Sequence, residues 1–262
     1  MQYGQRLPLG NKEFEEPLCN FRSANAIIVT NIAEIFQSPI RNLRRCLPDG
    51  RELAVDSSEQ ICAAATRLFA AQGFDGTSLQ SIADQVGVAK QTLLYHYPSK
   101  DSLRQKVLAS LLEHWRKRLP QMLKAVTSGH HRFDALTEEL VRFFRDDPDR
   151  ARLLAREMLD NPEGMAKLLS NSLRPWLLLV AQYIYEGQES GVVYEDMDPE
   201  AYVMNTIVSV IAIVASEAVI SEVLGASATA KSEQPRSLAE LVRSSRRALF
   251  HPPRGDKRAE AR

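Results

Sequence analysis

Cysteine is scarce in this 262-residue chain: Cys19, Cys46 and Cys62 are widely spaced and odd in number. They exclude a disulfide framework and offer no CxxC pair or Cys/His zinc spacing, and a reducing cytoplasm is the simplest compartment for them. Net charge is absent too, with 33 basic residues against 33 acidic ones. Long hydrophobic runs are lacking. The patch Ala26–Thr30 is too short and too far in for a signal peptide, and Asn31 and Glu34 follow it. The uncharged stretch from Ala201 to Ser216 falls short of the ~20 residues needed to span a bilayer, so no membrane role is expected. No GxSxG, HExxH, P-loop or dinucleotide fingerprint occurs, so no enzyme and no cofactor are expected, although a Ser/His/Asp set assembled by folding stays open. His130-His131 has no third ligand nearby, and no metal site is expected.

What is present is helical periodicity. Ile61, Ala64, Ala65, Leu68 and Phe69 form an apolar stripe over Ser57–Gln72, ended by Gly73. Thr77, with Gln80 three residues on, has the form of a capping box for a helix carrying Leu79, Ile82, Ala83 and Val86 inward. Gly87 supplies the positive φ of a sharp turn, and Val88 plugs the core. A second short helix runs from about Ala89 to Tyr97, where Pro98 stops it and Ser99 caps the next. Two short helices joined by a tight glycine turn predict a helix-turn-helix. Lys90, Gln91 and Thr92 then stand at the start of its second helix, where side chains reach base edges in a major groove.

Leu103, Val107, Leu111, Trp115 and Leu119 recur every four residues, predicting a long fourth helix closed by Pro120. Beyond it the pattern predicts helices at 131–146, 149–160, 163–188, 198–224 and 237–249, with Arg174-Pro175 kinking or starting a helix. The fold class is therefore all-α. Charge divides with position: eight Lys/Arg against five Asp/Glu over residues 57–119, then nine against seventeen over 120–230. A basic segment next to an acidic one suits a DNA-binding head on a body that avoids DNA.

The run Thr77-Ser78, Ile82-Ala83, Gly87-Val88, Leu93, Tyr95-His96-Tyr97 and Ser99-Lys100 resembles the TetR/AcrR family of bacterial transcriptional regulators. The likeness is strong only from about Val55 to Trp115. One departure is Leu94, where the family usually has a phosphate-contacting Tyr; here Tyr95 comes one place later. The resemblance implies a DNA-binding unit at 55–115 in which Thr77, Ser78, Tyr95, His96 and Lys100 hold the DNA backbone. It also implies a helical effector-binding and dimerisation domain at 116–225, followed by a linker, a last short helix and a basic tail at 226–262. The implied protein is a cytoplasmic homodimeric repressor on a palindromic double-stranded operator, released by a small molecule. A helical ligand carrier or enzyme with an incidental helix-turn-helix is the second reading.

Trp115, Phe143, Phe144, Met158, Trp176 and Tyr183 are the candidates for lining an effector pocket. In the family two helices from each subunit pair across the dimer. The helix apolar on every face suits that seam, through Val203, Ile207, Val210, Ile211 and Val214. Leu178, Ala181, Gln182 and Tyr185 form the other candidate face. Residues 1–54 lie ahead of the family's usual start. They read as a disordered arm, a small packing element, or sequence upstream of the genuine start. Deleting them is expected to leave dimerisation and most operator affinity intact. A large affinity loss in a gel-shift titration would instead make them a DNA-reading arm.

Overall fold

In the computed structural model residues 57–125, 129–225 and 235–252 are described. The expectations for residues 1–54, for the polar linker at 226–234 and for the tail from 253 lie outside the described residues. Eleven α-helices make up the described chain. Among these residues the β contribution is a single isolated pairing, Val193 with Phe250.

α1 (Ser57–Gly76) buries Ile61, Ala64, Ala65 and Phe69, the face that the periodicity predicts. Gly73, at φ 76°, breaks the helix there. Thr77 is not the cap of the next helix. Its hydroxyl turns inward and donates to the carbonyls of Gly73 (2.8 Å) and Leu68 (3.2 Å), sealing the broken end of α1. Ser78 caps α2 (Leu79–Val86) instead, its hydroxyl accepting from the Ser81 N–H at 2.9 Å. Gly87, at φ 78°, donates its N–H to Ala83 and turns the chain into α3 (Lys90–His96). A Ser99–Ser102 box starts α4 (Lys100–Ala125).

Pro120 does not close α4; the helix runs through it. A proline removes one hydrogen bond, and here Leu119 and Leu123 are both buried on either side of it, holding the helix to its neighbours. α5 (Gly129–Arg145) and α6 (Pro148–Asp160) follow, the latter capped by Asp147 with a proline at its first position. The single helix expected at 163–188 is two, α7 (Pro162–Ser172) and α8 (Arg174–Glu189), because Pro175 cannot continue the helix before it. The expected 198–224 helix also divides, into α9 (Pro199–Ala215) and α10 (Glu217–Leu224), bent by 75° at Ser216. α11 (Arg236–Leu249) completes the order. Among the described residues no single helix is long and apolar enough to cross a membrane.

α9 is apolar all round because its own chain surrounds it: it packs on α5, α6, α8 and α11. Val210, Ile211 and Val214 are buried in the protomer core. They are unavailable to a second subunit, which corrects the expected seam. Val203 and Ile207 are half-buried, and the exposed face of α9 carries Asn205, Val208 and Ala212.

The helix-turn-helix is tied to the rest by α6, which lies along α1. Arg104 on α4 grips the buried Glu157 of α6 through both carboxylate oxygens, at 2.7 to 3.0 Å. The neighbouring Arg156 donates to the carbonyls of Ala70 (2.9 Å) and Ala71 (3.3 Å) at the broken end of α1. A buried carboxylate left without its partner is expensive. Arg104→Ala is therefore expected to lower unfolding free energy by about 3 kcal/mol in urea titrations, and Arg104→Ala/Glu157→Ala by less than the two single changes summed.

Candidate nucleic-acid interface and ligand cavity

The exposed side of α3 is set by what its other side buries. Leu93 is wholly enclosed, and Tyr97 lies beneath the helix with its hydroxyl 2.7 Å from Ser58 Oγ and 3.1 Å from Cys62 Sγ. With these two facing in, Lys90, Gln91 and Thr92 are all exposed on the first turn. Tyr95 is 76% exposed and Leu94 also reaches the surface. His96 is half-buried, with the Tyr95 ring set edge-on to it at 5.5 Å. Ser78 is exposed at the start of α2. Thr77, only 2% exposed, stands apart from this surface.

Lys100 is held rather than free-swinging. Its Nζ lies 4.3 Å from the centre of the Phe74 ring, and the guanidinium of Arg104 lies 4.2 Å from the same ring. The exposed set thus pairs side chains able to read bases with cations and hydroxyls able to hold phosphates. Nothing in the spacing of Phe74 signals this role, since it becomes a platform only once α4 folds across the broken end of α1.

The second feature is a cavity of about 360 Å³ in the helical body. Trp115, Phe143, Phe144, Met158, Trp176 and Tyr183 all line it, contributed by α4, α5, α6 and α8. Periodicity leaves such residues indistinguishable from core, because a wall of a cavity is core on its other side. Arg132, Phe133, Tyr202 and Phe250 line it as well and carried no sequence signal. Arg132 stacks over the Tyr183 ring at 4.3 Å.

Four of the cavity's hydroxyls are engaged already. Thr137 donates to the Phe133 carbonyl at 2.7 Å, Thr206 to Tyr202 at 2.9 Å, and Ser190 to Gly187 at 3.0 Å. Tyr202 donates to the Ser245 carbonyl at 2.8 Å, and burial pushes its phenol up to about 12, so it stays neutral. Behind the aromatic wall, His114 stacks on Phe143 at 4.5 Å and sits 3.1 Å from the buried Glu139. Burial, then the guanidinium groups of Arg150, Arg118 and Arg142, hold the His114 imidazole below its usual range. Glu139 is met by Arg142 and, at 3.5 Å, by Arg118. Among the described residues no cluster of His, Cys, Asp and Glu could hold a metal ion.

Comparison with known proteins gives the family and the fold. Residues 61–107 match the family described as bacterial regulatory proteins, tetR family, and residues 131–244 match the tetracyclin repressor-like C-terminal domain. The HTH-type transcriptional regulator RutR of Escherichia coli (strain K12) is 32% identical over 146 residues, covering 53% of this chain and 67% of that protein. Among solved structures, the ketosteroid transcriptional regulator KstR2 of Mycobacterium tuberculosis superposes with a TM-score of 0.59 at 13% identity, over 76% of this chain and 98% of that one. The transcriptional regulator FadR of Bacillus subtilis, solved with stearoyl-CoA, gives 0.57 at 17% identity, over 72% and 95%. These two likenesses show the fold; the relatives and the two adjoining family matches show the lineage. The chain belongs to the tetR family of bacterial regulatory proteins and is a helix-turn-helix, DNA-binding transcriptional regulator.

Proposed function

We propose that the protein is a cytoplasmic homodimeric repressor of a palindromic operator, released when a small, largely apolar effector enters the cavity. The observation that carries the reading is the double role of α6. Leu154 and Met158 face the cavity, and Arg156 and Glu157, within the same turn, grip the DNA-reading head. A ligand that displaces the first pair moves the second. Two heads must sit about one helical turn, ~34 Å, apart or a multiple of it, so a small shift of each head is enough to lose the operator. The volume falls within the range of small-molecule sites. FadR, of similar fold, was solved in complex with stearoyl-CoA, whose acyl chain is apolar.

Within the head, Lys90, Gln91 and Thr92 read bases, while Ser78, Tyr95, His96 and Lys100 hold the backbone. Thr77 supports the site from inside. Lys90→Ala or Gln91→Ala is expected to change which operator bases are preferred, at about 1–3 kcal/mol of discrimination. Lys100→Ala is expected to weaken binding to all sequences and to flatten its salt dependence. Equal losses on every DNA for all three variants would refute this division of roles.

For the dimer, the reading moves to the faces that the protomer leaves open. Leu178, Gln182 and Tyr185 are exposed along α8, and Asn205, Val208 and Ala212 along the adjacent α9. Ala181, buried within the protomer, drops out of the alternative face. An isologous contact covers the same mixed apolar patch on both subunits and sets the heads symmetrically. Val208→Glu is expected to yield folded monomers with very weak operator binding. Sedimentation of an intact dimer at micromolar concentration would place the seam elsewhere.

A further inference from the structure

One wall of the cavity lies beyond the family match, which ends at residue 244. Leu249 and Phe250, both buried, line the cavity from a short strap at the end of α11, residues 249–251. The strap runs beside the turn after α8. There the Tyr194 N–H donates to the Leu249 carbonyl at 3.3 Å and the His251 N–H to the Val192 carbonyl at 3.1 Å. The Phe250 ring meets Phe133 edge-on at 5.8 Å and His130 at 4.0 Å, and His251 lies 4.0 Å from Tyr194. Arg246, one turn back on α11, pairs with Asp134 of α5. Val193 closes the far side by packing onto Gly187, where any Cβ would come within 2.6 Å of Val193 Cγ2.

This wall differs from the others in what its displacement would cost. Phe133, Ile184, Val193, Leu249 and Phe250 form a small cluster of their own, separate from the core that joins α1, α4, α5, α6 and α9. Moving the walls made by α4, α5, α6 or α9 shifts a whole helix of that larger core. Moving the strap breaks the two backbone hydrogen bonds to the turn after α8 and uncovers Leu249 and Phe250. The partly exposed Arg246–Asp134 pair anchors the helix end from which it swings. Tyr202, bonded to the Ser245 carbonyl, keeps α11 itself pinned to α9 while the residues after it swing.

We propose that the strap 249–251 is the access gate of the ligand cavity, and that Phe250 selects what passes it, admitting apolar molecules. The proposal rests on the reading of the cavity as the effector site, and the test separates the two. Stopped-flow fluorescence with anilinonaphthalene sulfonate, an aromatic dye whose apolar rings carry one sulfonate, gives association and dissociation rates on the full chain. Asp134→Asn and Arg246→Gln loosen the strap at residues that do not line the cavity. Both rates are expected to rise roughly threefold at nearly constant affinity, the scale of a partly exposed ion pair. Phe250→Ala, which removes a lining side chain, is expected to change the affinity as well as the rates. Unchanged association rates in both latch variants, with melting temperatures showing them folded, would overturn the gate. Val180→Trp fills the cavity from α8 and is expected to abolish dye uptake. If the wild type takes up no dye, or this variant takes it up undiminished, the cavity is not the ligand site and the gate falls with it.

Discussion

Glu157 sits on α6 with its side chain almost wholly out of water, and Arg104 from α4 meets it through two oxygens. A carboxylate so placed cannot lose its partner cheaply. One residue away, Arg156 supplies cationic donors to the carbonyls of Ala70 and Ala71, beside the break at Gly73. The two arginines therefore fix the head against the body from both sides of one turn. The positions of α2 and α3, and with them the exposed side chains of Lys90, Gln91 and Thr92, follow from that clamp. The cavity lies against the opposite side of the same helix, so its contents and the head share a rigid element.

Much of the head was legible in the sequence because its signals are local. A stripe of apolar residues, a glycine at the turn and prolines at helix borders each act within a few residues, and α1 to α4 follow them. The misplaced cap has an equally local origin. Thr77 and Ser78 both have the chemistry of an N-cap, and the choice between them depends on the carbonyl of Gly73, which a linear pattern does not bring near. The body was legible as helices and less so as helix ends. Pro120 lies inside a helix while Pro175 begins one, and burial of Leu119 and Leu123 decides the first case.

The seam on α9 shows a different limit. An apolar helix wants cover on every side, but its composition does not say whose side chains provide it. Four helices of the same chain enclose Val210, Ile211 and Val214, and only the strip through Asn205, Val208 and Ala212 is left. Likewise Arg104 and Glu157 are fifty-three positions apart, and neither carries any mark of the other.

The commitment of Thr137, Ser190, Tyr202 and Thr206 to backbone carbonyls bears on how finely the cavity can tell one molecule from another. A site that hydrogen-bonds a substrate rejects analogues lacking the matching group by roughly 10⁴–10⁵, whereas a hydrophobic pocket gains only about 10–200-fold from a methylene. With these four donors spent, the lining distinguishes molecules chiefly through bulk and contour, with Arg132, Tyr183 and Glu186 as its further polar residues. A cavity built this way holds a range of related shapes, because four of its hydroxyl groups turn to the backbone rather than to its interior.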